Sequence, residues 1–242
     1  MRKVLVAIFT IVMFALFLAE GMSCQKMYVP PPPASIVIIN AMAGSNQIVP
    51  NFGSDTAYRY YKGPTSASTM VKISYGASRL YTRAPASTSL SVVPITDTVF
   101  KIFNGTVNLA SGTIYSFFLS GDTAHADTMM IRENIPTYSD SSTGVRFVNL
   151  SIGGKALTIN LAGDSGNLQF PVIGYQGVTD FKKYSAVVSS GTSYKFEIRD
   201  QATGALLKTY TWTFQRFRNN TIVISGDPTI PAQFKVFAVN NY

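Results

Sequence analysis

The sequence predicts an all-β protein: two tandem antiparallel β-sandwich domains of immunoglobulin size behind a signal segment and a proline-rich arm. Three observations carry this. Past residue 34, apolar and aromatic residues alternate with polar ones at period two. The same part of the chain repeats itself once, in two copies of about 105 residues each, a comfortable domain size. No stretch of it carries an apolar stripe at helical spacing.

In chain order, residues 1–23 come first. Met1-Arg2-Lys3 is a basic start, and Val4 to Ala19 is 16 residues without a charge. That is short of the roughly 20 apolar residues that span a bilayer as a helix. A basic start, a short apolar middle and small residues before a cut describe a signal peptide. Gly21-Met22-Ser23-Cys24 follows, and Cys24 is the only cysteine of the chain. The segment resembles the bacterial lipoprotein signal, in which a small residue precedes a cysteine that is lipidated and becomes the new N-terminus. Ser23 and Cys24 match it; Gly21 departs from it, because Leu is usual three residues before the cysteine. The resemblance implies an exported protein, lipid-anchored in the bacterial outer membrane and facing the periplasm or the surface. The alternative is an ordinary signal peptide that leaves Cys24 as a free thiol. Either way no internal disulfide is available, so stability must come from packing.

Residues 24–34 form the arm. Pro30 to Pro33 are four consecutive prolines, which cannot join a sheet ladder and favour polyproline II. At about 3.1 Å per residue, such a spacer holds the folded part roughly 30 Å from its anchor.

The two copies follow, as domains 35–136 and 145–242 with a linker at 137–144. Ile36 to Ala41 matches Val145 to Leu150, and Gly44 matches Gly153 at the same offset. Ile73-Ser74-Tyr75 matches Ile173-Gly174-Tyr175. Thr98 to Asp122 aligns with Thr203 to Asp227 without a gap, and both end in Ser-Gly-Asp. Within each copy, Thr209 to Phe214 places Tyr210, Trp212 and Phe214 on one face, and Ser193 to Ile198 alternates likewise, as half-buried strands do. The runs Tyr115 to Leu119 and Ile222 to Ile224 read as strands buried on both faces. Gly153-Gly154 reads as a hairpin turn.

Three of these features together resemble the bacterial domain of unknown function numbered forty-three ninety-seven: the opening Val-Arg-Phe-Val-Asn-Leu-Ser at Val145 to Ser151, the aromatic strand Tyr194 to Asp200, and the closing strand into Ser-Gly-Asp. The likeness covers residues 35 to 242 and is better in the second copy, since the first has Ile36 to Ala41 where the family prefers Arg-Phe and Leu-Ser. It implies an envelope protein with the domain in tandem, and no activity.

Composition narrows the function. Without residues 1–23, which hold Arg2, Lys3 and Glu20, the chain keeps 219 residues with 18 basic and 11 acidic side chains. Its basic groups are scattered apart from Lys182-Lys183 and Arg216-Phe217-Arg218, so no nucleic-acid surface is expected. An enzyme is not expected either. His125 is the only histidine and lies in a polar loop, so a Ser-His-Asp device has one candidate base, and zinc lacks a ligand set. Asp122, His125 and Asp127 could at most hold a cation weakly. Most carboxylates sit in turns, where Asp bonds its own downstream backbone. Neither a metal nor a cofactor is expected.

Two features suit binding. Between the first strands and Ile73, the first copy carries nine more residues than the second, including Tyr58, Arg59, Tyr60 and Tyr61. Tyrosines among basic residues suit sugar stacking or protein contact, although a longer hairpin packed on its sheet is the plainer account. Thr56, Thr98, Thr123 and Thr128 each sit in an Asp-Thr-apolar triplet that resembles the acceptor for O-glycosylation in some Gram-negative bacteria; Asp-Thr is also an ordinary turn pair. The expectation is a non-enzymatic envelope lipoprotein acting as a binding, adhesion or structural module for envelope proteins or glycans. The alternative is a surface glycan-binding accessory of a polysaccharide uptake system.

Overall fold

A computed structural model describes residues 29–53, 71–97, 99–164, 166–187 and 191–241. Residues Pro32–Tyr242 form one compact unit. Its first copy holds β1 (Ala34–Asn40), β2 (Gln47–Phe52), β3 (Ile73–Ser74), β4 (Ala77–Arg83), β5 (Ser87–Pro94), β6 (Phe103–Asn108), β7 (Ile114–Gly121) and β8 (Ala126–Arg132). The second holds β9 (Ser142–Ser151), β10 (Leu157–Leu161), β11 (Lys182–Ser185), β12 (Ser193–Asp200), β13 (Leu206–Thr213), β14 (Asn219–Gly226) and β15 (Lys235–Asn241). Among the described residues there is no helix. Strand β9 already starts at Ser142, inside the stretch read as linker, and Ala34 belongs to β1 rather than to the arm.

Each copy is a sandwich of two sheets, in orders β4-β1-β7-β8 over β3-β2-β5-β6, and β11-β9-β14-β15 over β10-β12-β13. The pairs are antiparallel except two: β1 runs parallel to β7, and β9 parallel to β14. These parallel pairs join the first strand of each copy to a strand about 80 residues later, so no local sequence signal marks them. The repeat is kept residue by residue, with Ile36 opposite Tyr115 and Val145 opposite Asn220. Gly153-Gly154 is a correction: β9 and β10 lie in different sheets, so the two glycines, both at positive φ, turn the chain between layers and do not close a hairpin.

The side-chain alternation read from sequence builds two inner cores. Ile36, Ile38, Leu90, Val92 and Phe117 fill the first sandwich. Phe147, Phe196, Ile198, Trp212 and Ile222 fill the second, where Phe147 and Phe196 meet edge to face at 5.1 Å. A third core explains why β7 and β14 are buried on both faces. Val37, Ile39 and Phe118 of one copy pack against Val148, Leu150, Val223 and Phe237 of the other. The four sheets therefore stack in four layers, and the middle two share an apolar seam.

A buried asparagine locks the same corner in each copy. Asn40 donates to the Ile73 carbonyl at 3.0 Å and accepts from the Met42 N–H and the Ser45 hydroxyl. Asn149 donates to the Ile173 carbonyl at 3.0 Å and to the Lys155 carbonyl, and accepts from Ser151. A buried carboxamide satisfied on both sides fixes a turn that an apolar residue would leave with unpaired backbone groups. Gly121 and Gly226 close β7 and β14 at φ +81° and +82°, where a Cβ would meet the carbonyls of His125 and Gln233.

Candidate functional site at the seam between the copies

The seam has approximate twofold symmetry. Tyr75 of the first copy shares a hydrogen bond with Ser225 of the second at 3.1 Å and donates to the Gln233 carbonyl at 2.6 Å. Its counterpart Tyr175 reaches the other way and donates to the Asp127 carboxylate at 2.6 Å. Desolvation raises the pKa of both phenols, and for Tyr175 the neighbouring Asp127 adds to the rise. Beside each tyrosine lies a small cleft. The one at Tyr75 is about 300 Å³ and includes Gln233 and Lys235, whose ammonium donates to the Tyr75 carbonyl at 2.7 Å. The one at Tyr175 is about 290 Å³ and includes Asp122, His125 and Asp127.

His125 thus lies at the seam, but its side chain is 90% exposed and 3.5 Å from Asp122. Asp122 is occupied as a turn residue, accepting from the N–H groups of Ala124 and His125, which hold its carboxyl below the usual range. Asp97, Asp200 and Asp227 cap turns in the same way. Among the described residues no three histidine, cysteine or carboxylate side chains are placed to share a metal ion.

A larger cleft, about 360 Å³, opens farther along the seam. Val37, Ser78 and Leu80 of the first copy form one wall, and Gln215, Arg218, Ala238, Asn240 and Asn241 of the second form the other. It sits at the lower end of small-molecule site volumes. The loop after β13 supplies Gln215 and Arg218. Its path is pinned: the Phe217 N–H donates to the Ser142 carbonyl at 2.9 Å, and the Arg218 carbonyl accepts from the Gly144 N–H and the Thr143 hydroxyl. Phe217 is held at φ +57°, a conformation that costs a non-glycine residue of order 1 kcal/mol or more. The carbonyl oxygens of Asn240 and Asn241 are engaged by Asn220 and Thr221, at 2.6 Å each. Their amide NH₂ groups are left as donors.

The residues read from sequence fall elsewhere. Thr123 is exposed in the β7–β8 turn, and Thr128 is exposed on the edge strand β8. Cys24, Thr56, Tyr58, Arg59, Tyr60, Tyr61 and Thr98 lie outside the described residues. Sequence reasoning missed the seam cleft, and noticed Arg218 only as part of a short basic run. The signal that finds it is a comparison of the copies at matched register, where Val37 stands for Arg146, and Asn241 for Glu133.

No protein-family model matches the chain, and the comparison with curated proteins finds no relative. Among solved structures the chain is similar to a family 26 carbohydrate-binding module of Eubacterium rectale in complex with maltoheptaose, at 9% identity and TM-score 0.27, over 87% of this chain and 97% of that one. It is also similar to a family 41 carbohydrate-binding module from streptococcal virulence factors, described for alpha-glucan recognition, at 12% identity and TM-score 0.28, over 84% and 96%.

Proposed function

We propose that this chain is a non-enzymatic lipoprotein of the bacterial envelope that binds a glycan in the 360 Å³ cleft between its two copies. The observation that carries the reading is the make-up of that cleft. Amide, hydroxyl and guanidinium residues line it together with the aliphatic residues Val37, Leu80 and Ala238. Sugars present the complementary mixture, hydroxyls around the ring edge and C–H groups on its faces, and a rigid cleft binds them without first being ordered. Lipid on Cys24 and the polyproline arm would hold this cleft away from the outer membrane, within reach of polysaccharide. Thr123 and Thr128, both exposed, are the described candidates for O-glycosylation.

The test is affinity electrophoresis of the mature protein through gels cast with neutral and acidic polysaccharides. Retardation by at least one polymer, reduced when Leu80→Trp fills the cleft, is the expected result. Unchanged mobility in every gel would contradict the glycan reading. For the anchor, the intact mass of the membrane-extracted protein should begin at a lipidated Cys24; an unmodified thiol there would refute it.

A further inference from the structure

The two sides of the seam are built on the same backbone and filled differently. Strand registers place Val37 and Leu80 where the second copy has Arg146 and Phe181, since Ile36 faces Tyr81 as Val145 faces Lys182. They place Asn241 where the first copy has Glu133, since Met130 faces Phe117 as Ala238 faces Ile222. On the filled side the Arg146 guanidinium lies 4.6 Å from the Phe181 ring centroid. It bonds the Thr221 hydroxyl at 2.9 Å and the Glu133 carboxylate at 2.5 Å, with both charged side chains buried. On the other side valine, leucine and asparagine are all smaller, and the corresponding space is the 360 Å³ cleft.

The cleft also has a polarity. Arg218 is a pure donor, and the side-chain oxygens of Asn240 and Asn241 each already accept one hydrogen bond, which leaves their NH₂ groups as the open donors beside it; Ser78 and Gln215 can donate or accept. No carboxylate lines it. We infer that the cleft selects an anionic sugar: the Arg218 guanidinium takes the acid group, and the Asn240 and Asn241 amides take acceptor oxygens beside it. The ligand would thus bring to this side the anion that Glu133 supplies on the other. This rests on the glycan reading above and narrows it to a charge class. The acid is a carboxylate or a sulfate ester, since both fit a guanidinium fork.

The experiment is calorimetric titration of the mature protein with three probes: trigalacturonic acid, its neutral methyl ester, and a sulfated galactose trisaccharide. The inference predicts that one or both acidic probes bind at least about tenfold more tightly than the ester, the range expected of one charge-assisted hydrogen bond. Which acid binds identifies the group. Arg218→Gln should erase that preference and leave weak binding of the ester unchanged. The variant keeps the Arg218 carbonyl, through which the loop is pinned, and its unfolding midpoint reports whether the fold survives. Arg218→Lys, with charge but no fork, should fall between the two. Equal binding of acid and ester, or an acid preference that Arg218→Gln does not touch, would overturn the inference while the glycan reading stands. If none of these probes binds while a neutral glucan does, the inference fails alone; if no sugar binds at all, both fail.

Discussion

The first and second copies share one sandwich plan, yet they treat the seam between them in opposite ways. Where β9 approaches the first copy, the gap is closed from within by Arg146, Phe181 and Glu133. Where β1 approaches the second, Val37, Leu80 and Asn241 leave the gap to solvent. The difference teaches that an approximately symmetric interface can be held by one half while the other half is free to bind. The apolar strip of Phe118, Val148, Val223 and Phe237 serves both.

The largest test exchanges the two sides. Glu133→Asn alone strands a buried guanidinium and should cost about 3–5 kcal/mol in urea denaturation. Arg146→Val alone strands the carboxylate at similar cost. The double variant, which gives the closed side two of the three residues of the open one, should cost less than either single change, because no charge is left unpaired. A double variant less stable than both singles would break the comparison.

Next in size are the matched asparagines. Ala at Asn40 or Asn149 leaves buried groups unpaired, at about 1–3 kcal/mol. Asn149 should be the costlier, since it alone also holds a second carbonyl, that of Lys155. Equal losses would deny that difference between the copies. Smaller still, Tyr75→Phe and Tyr175→Phe should each lose about 1 kcal/mol and leave both sandwiches intact by circular dichroism.

The smallest effect is one of pH. The Lys155 ammonium, 2.8 Å away, is the main cause that holds the Asp200 carboxyl below its usual range, and the N–H groups of Thr203 and Ala202 add to it. A depressed native pKa gives stability that is complete above the unfolded value, about 3.9, and is lost as pH falls through the native value. Asp200→Asn should therefore be less stable than the parent at pH 7, with the gap closing below about pH 4. The first copy has no ion pair matching Lys155–Asp200 among its described residues, so the ion-pair part of the acid sensitivity belongs to the second copy, whereas the pKa of Asp122 in the first is lowered chiefly by the N–H groups of His125 and Ala124.

Much of this architecture was legible. Alternation in Ser193 to Ile198 and Thr209 to Phe214 marked strands whose inward faces the structure fills with Phe196, Ile198 and Trp212. The asparagine and glycine matches marked positions that the backbone treats identically in both copies. Burial of β7 and β14 on both faces was readable too, but not what covers them, because an apolar face does not name its partner. The parallel pairing of β1 with β7 and of β9 with β14 left no local trace. The cleft was hidden for a related reason. Val37 and Asn241 are unremarkable where they stand, and become informative only when the registers set them against Arg146 and Glu133.

The most direct test of the account is a methyl-resolved NMR titration of the mature protein with trigalacturonic acid and the sulfated trisaccharide. The account predicts saturable shifts, with at least one of them, at the Val37, Leu80 and Ala238 methyls that line the open side. It predicts none at Ile131 or Val148, which pack in the same apolar seam core as Val37 but do not line the cleft. Shifts confined to the β7–β8 turn around Thr123, or to residues 54–70, would contradict it, as would the absence of any shift.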